Sequence, residues 1–169
     1  IPFFDYPSIF LQEEKELMPI IHEVLRKGAY IMQDELNVFE DNLSKFLGAK
    51  HVLGVADGTI ALILSLKASG IKKGDEVIVP AQTHVATAHA VELTGARPIF
   101  VDSEKETGNI NIDLIETAIN SKTKAIALVH YLGAPVDMPK IMEIAKKYNL
   151  FVLEDCALSP GATINNIHT

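Results

Sequence analysis

The stretch EVIVPAQTHVATAHAVELTGARPIFVD, residues 76–102, decides the fold. It opens on the apolar run EVIVP and passes through HVATAHAVELT at 84–94. It turns at Gly95 and closes on a second apolar run, RPIFVD. Runs this short and this apolar read as strands buried on both faces, and the segment between them has helical length. The unit is strand–helix–strand, the building block of a parallel sheet.

The alternation extends both ways. Upstream, HVLGVA (51–56) reads as a strand and GTIALILSLKAS (58–69) as a helix. Downstream come a helix in NIDLIETAIN (111–120), strand KAIALVH (124–130), helix DMPKIMEIAKKY (137–148) and strand LFVLED (150–155). Short connections suit βα units. The expected fold is α/β, a mainly parallel sheet with helices on both faces. Ahead of it, residues 12–27 carry Leu17, Ile20, Ile21, Val24 and Leu25 at helical spacing, and Gly28 stops that helix. Pro19 marks a possible kink. A second helix spans about 36–47, before Gly48.

Composition narrows the function classes. A net charge of −7, without a basic stripe, argues against nucleic-acid binding. No apolar run reaches the roughly 18 residues that span a membrane. The opening IPFFDYPSIF lacks a charged start and a cleavable apolar run, so no signal peptide is expected there. The single cysteine, Cys156, rules out an internal disulfide and fits a reducing cytoplasm. The six histidines show no paired ligand spacing, so no metal site is expected.

In parallel α/β sheets, ligands bind outside the carboxyl ends of the strands. The residues to question there are Asp57-Gly58-Thr59, Gln82-Thr83-His84, Asp102, His130-Tyr131 and Asp155. Gly58 permits close backbone approach, and the helix start offers unpaired N–H groups and a positive dipole end, which suits a phosphate. The alternative is an ordinary capped helix with Asp57 as N-cap. His84 is either a partly exposed polar residue or a flat ring that stacks on a flat ligand. Asp155 ends an apolar strand. It is either an ion-pair or capping residue, or the partner of a protonated ring nitrogen such as that of pyridoxal phosphate (PLP). Cys156 reads as a small packing residue. Phosphate turn, flat ring and carboxylate, each after a strand, would clamp one planar phosphorylated cofactor.

With DGTIAL (57–62), GDEVIVP (74–80), GARPIFVD (95–102) and EDCA (154–157) in this order, the sequence resembles the DegT/DnrJ/EryC1/StrS family of sugar aminotransferases. These are PLP enzymes of the aspartate-aminotransferase fold. The resemblance implies that Gly58 and Thr59 bind the cofactor phosphate, that His84 stacks on the pyridine ring, and that Asp155 pairs with its nitrogen. Leu158 stands where the family commonly has a glutamine that hydrogen-bonds the cofactor's phenolic oxygen, a bond Leu cannot make. Gln33 replaces a common glycine. Asp57 replaces Ser or Asn and is expected to turn back and cap its helix rather than repel the phosphate.

The resemblance further implies residues 1–30 as a helical segment and 31–169 as the N-terminal part of the cofactor-binding large domain. The Schiff-base lysine and the C-terminal small domain are expected beyond Thr169, so no catalytic residue is assigned within this chain and the chain alone is expected to be inactive. Lys122, Lys124, Lys140, Lys146 and Lys147 read as surface charge. The implied reaction moves an amino group, from glutamate, to a nucleotide-linked keto-sugar in a cytoplasmic homodimer, in cell-envelope or secreted glycan synthesis. Two rivals stay open. One is a PLP-dependent sugar dehydratase of the same family, and the other a non-catalytic ligand-binding or regulatory module. A nicotinamide-dependent enzyme is disfavoured, because no G-x-G-x-x-G follows the first strand.

Overall fold

A computed structural model describes residues 4–28 and 30–169. They form two compact units, divided between Gly54 and Val55. The first holds α1 (Tyr6–Lys27) and α2 (Asp34–Leu47). Helix α1 starts earlier than its apolar spacing indicates. Asp5 caps it by accepting the Ser8 N–H, and Pro7 sits in the first turn, where a missing N–H is no loss. The helix continues through Pro19 and ends where Gly28 turns left-handed at φ +67°.

In the second unit, strands β1 (Glu76–Pro80), β2 (Arg97–Val101), β3 (Thr123–Val129) and β4 (Phe151–Asp155) are all parallel, in the order β2-β1-β3-β4. Four helices cover them: α3 (Gly58–Ala68), α4 (Val85–Leu93), α5 (Ile112–Ala118) and α6 (Met138–Tyr148). Alternate side chains of each strand serve opposite faces. Val77, Val79, Ala125 and Ala127 pack with Leu62 and Leu66 of α3 and Ala90 and Val91 of α4. Ile78, Ile126 and Leu128 pack with Ile112 and Ile115 of α5 and Ile141 of α6. Crossover handedness explains the division. The chain steps from β1 outward to β2 through α4, then returns past β1 to β3 through α5 and on to β4 through α6. Right-handed crossovers made in opposite directions place their helices on opposite faces. A short antiparallel pair, β5 (Thr163–Ile164) and β6 (Ile167–His168), turns through Asn165 and Asn166, both at positive φ.

One expected element is not there. Residues 51–56 form no strand, and Leu53 is 79% exposed. An apolar run becomes a strand only when a neighbour takes its N–H and C=O groups, and no described strand does so here. No described helix is long and apolar enough to cross a membrane.

Candidate active site

The order β2-β1-β3-β4 sends the chain in opposite directions from β1, so the carboxyl ends of β1 and β3 flank a topological switch point. Helix α4 follows β1 and therefore begins at that end. Helix α3 runs back toward the amino end of β1, which it joins through residues 69–75, so it also begins at the carboxyl end. Asp155 closes β4 at the same end. Its neighbour by alternation, Leu153, packs into the α3–α4 face, so Asp155 belongs to that face as well. Gly58, Thr59, His84 and Asp155 thus share one end and one face of the sheet.

Within the first turn of α3, Asp57 Oδ1 accepts the Ile60 N–H at 2.9 Å, and the Asp57 carbonyl accepts the Ala61 N–H at 3.0 Å. This is the turned-back cap expected of Asp57. It leaves the N–H groups of Gly58 and Thr59 as the helix's open donors. A Cβ placed on Gly58 would meet nothing within 4 Å, so an anion has room to approach this backbone. His84 is the N-cap of α4, its Nδ1 accepting the Ala86 N–H at 3.2 Å. That bond orients the ring at the start of α4. Asp155 Oδ1 accepts the Ala157 N–H at 3.1 Å, a capped turn in which the carboxylate stays at the strand end. Leu158 lies in the following turn, 53% exposed, with its carbonyl close against Gly133. Gln33 lies in the first unit as the residue before α2, with its amide donating to the Ile31 carbonyl.

The lysines keep to the surface. Lys122 and Lys124 stand at the amino end of β3, opposite the site. Lys140 and Lys147 are exposed and pair with Asp137 and Glu116. No group of three or more His, Cys, Asp or Glu that could hold a metal occurs among the described residues.

Sequence reasoning gave no role to His130 and Asn109. His130 follows β3 and is fully buried, with Nδ1 accepting the Val136 N–H at 3.0 Å and Nε2 3.1 Å from Glu154 Oε2. Burial, the largest influence, lowers its pKa; Cys156 and Glu154 raise it, on balance to about 9. The Val136 N–H opposes that charge, because a second ring proton would have to occupy the nitrogen at which it points. We assign the neutral ring with its hydrogen on Nε2. Asn109, also buried, accepts the Tyr131 N–H at 2.9 Å and donates to the Ala134 carbonyl at 3.0 Å. The available signal was a histidine at the end of an apolar strand and a glutamate at the end of the next.

The sequence profile of the DegT/DnrJ/EryC1/StrS aminotransferase family matches residues 11–169. The chain belongs to this family. One DegT/DnrJ/EryC1/StrS relative, the dTDP-3-amino-3,6-dideoxy-alpha-D-galactopyranose transaminase of Aneurinibacillus thermoaerophilus, is 44% identical over 165 residues, 98% of this chain and 46% of that protein. A crystal structure of a DegT DnrJ EryC1 StrS aminotransferase from Brucella abortus matches with TM-score 0.95 and 35% identity, over 99% of this chain and 47% of the other. The Escherichia coli GDP-4-keto-6-deoxy-D-mannose-3-dehydratase, solved with bound hydrated PLP, matches with TM-score 0.83 and 34% identity, over 88% of this chain and 40% of the other. The chain therefore spans less than half the length of these relatives. Their likeness establishes the expected fold class, the parallel-sheet part of the aspartate-aminotransferase-like large domain.

Proposed function

We propose that the whole protein is a PLP-dependent aminotransferase that moves an amino group from an amino-acid donor, glutamate, to a nucleotide-linked keto-sugar. The observation that carries this reading is the convergence of the α3 start, His84 and Asp155 on one end and one face of the sheet. The donor set fits the cofactor. Two open N–H groups and the Thr59 hydroxyl suit its phosphate, the His84 ring its flat face, and the Asp155 carboxylate its protonated ring nitrogen. When bound, PLP supplies an electron sink for breaking bonds at the amine-bearing carbon. Asp155 keeps the ring nitrogen protonated, while Gly58 and Thr59 hold the phosphate against rotation. Leu158 has no side-chain group that could hydrogen-bond the phenolic oxygen.

The lysine that binds PLP and moves the proton, and the small domain, belong to the part of the protein outside this chain, so the chain alone is inactive in this reading. The proposed bounds are 1–30 for the N-terminal segment and 31–169 for the first part of the cofactor domain; the compact units of the described residues divide elsewhere, between Gly54 and Val55. The protein is a homodimer in the cytoplasm; the exposed Ile20, Leu25 and Phe39 of α1 and α2 support an interface.

The test uses the full-length protein with PLP, glutamate and a panel of nucleotide-linked keto-sugars, read by mass spectrometry. An amino-sugar product is expected. A deoxygenated, non-aminated product would establish the dehydratase reading, which the likeness to the GDP-sugar dehydratase keeps in play. Reversible PLP binding, with no adduct after borohydride and no product, would establish a ligand-binding module. Thr59→Ala is expected to weaken PLP binding about tenfold, the size of one hydrogen bond to a charged group. Unchanged affinity by fluorescence titration would leave the start of α3 an ordinary helix capped by Asp57.

A further inference from the structure

Glu154 and Asp155 are adjacent on β4 and therefore point to opposite faces of the sheet. Asp155 belongs to the α3–α4 face and Glu154, two residues on from Val152, to the α5–α6 face. A strand end that carries two acids needs something to decide how it is rotated, because turning it about its axis re-aims both side chains together. The described residues supply that on the side away from the site. His130 Nε2–H donates to Glu154 Oε2 at 3.1 Å, and the His130 backbone N–H donates to the Asp155 carbonyl at 3.3 Å. One residue thus grips the strand end by a side chain and by the backbone.

The grip is itself fixed. The ring is fully buried, and its Nδ1 is occupied by the N–H of Val136, which is buried in the α5–α6 core. Between them, the turn at 131–134 is held by Asn109 at both ends. Gly108 backs that turn so closely that a Cβ there would come within 2.6 Å of the Tyr131 ring. The segment 130–136 is therefore a bracket held by the buried His130 ring and by Asn109.

We propose that His130 is a positioning residue that, through Glu154, sets the aim of the Asp155 carboxylate toward the cofactor ring; this rests on Asp155 being the partner of the ring nitrogen. His130 touches no reacting atom in this role. Glu154, its half-exposed partner, can be changed without cutting into the core.

The experiment uses full-length protein reconstituted with PLP. It compares Glu154→Ala, Glu154→Gln and Asp155→Asn by PLP affinity, by the pH titration of the bound cofactor's visible absorption, and by the melting temperature of the cofactor-free protein. Glu154→Ala is expected to raise the PLP dissociation constant about tenfold, as for one lost hydrogen bond to a charged group, and to displace the absorption titration in the same direction as Asp155→Asn. Glu154→Gln, which still accepts from Nε2–H, should restore the parental titration. A melting temperature lowered by Glu154→Ala with affinity and titration unchanged would reduce the bracket to a structural role and overturn the proposal. If Asp155→Asn itself moves neither affinity nor titration, the ring-nitrogen assignment fails first, and the proposal fails with it for that separate reason.

Discussion

Asp155→Asn in the full-length protein is expected to lower kcat by about a hundredfold or more while leaving the fold intact. The two side chains have the same shape, and an Asn oxygen can still accept the Ala157 N–H that Asp155 Oδ1 takes at 3.1 Å. The turn after β4 therefore survives. What is lost is the negative charge. A neutral amide does not hold a ring nitrogen protonated, and removing the partner of a partly buried charge is worth about 3 kcal/mol, a little over a hundredfold in rate. Steady-state kinetics at saturating PLP, with thermal melting alongside, check this. Near-parental kcat in a properly folded variant would remove Asp155 from the site.

Leu66→Ala should produce the largest loss of stability. Leu66 is fully buried on α3 and packs among Val77, Val79, Ala90, Val91 and Ala127, which tie α3 to the sheet and to α4. Emptying such a position removes transfer energy and leaves a cavity, at about 2–5 kcal/mol. One turn of helix does not separate Leu66 from its exposed neighbour Lys67, so Lys67→Ala is the natural control, expected within about 0.5 kcal/mol of parent. Urea unfolding monitored by circular dichroism distinguishes the two. Equal midpoints would mean that α3 is not seated on the sheet as described, and the aim of its N-terminus would be lost with that seating.

The four parallel strands were legible because each is a short apolar run bounded by a turn; burial on both faces holds for the central EVIVP and KAIALVH, whereas the edge strands β2 and β4 leave Phe100 and Phe151 exposed, contrary to the expectation for RPIFVD. Helix limits were legible where punctuation was strong, as at Gly28 and Gly48, both left-handed in the structure. HVLGVA misled for a physical reason. Its apolarity reports a tendency to be buried, whereas a strand requires hydrogen-bonding neighbours that local sequence does not specify. Asp57 was legible down to its capping bond, since that bond is made three residues away. The contact between His130 and Glu154 was not. It joins the ends of two strands across an intervening helix, and only the register of β3 on β4 brings Leu128 beside Glu154 and Val129 beside Asp155.

The strand order also has a kinetic consequence. Glu76 pairs with Arg97 on one side and with Thr123 on the other, more than twice as far along the chain. The flanking pairs β1–β2 and β3–β4 close over comparatively short loops, whereas the central β1–β3 pairing closes a longer one, at an entropic cost greater by about 0.7 kcal/mol. The seam closed by that longer pairing is the switch point itself. The candidate site residues at the ends of β1 and β4 come together only when that seam closes, so any ligand held there would mark the end of folding rather than its beginning.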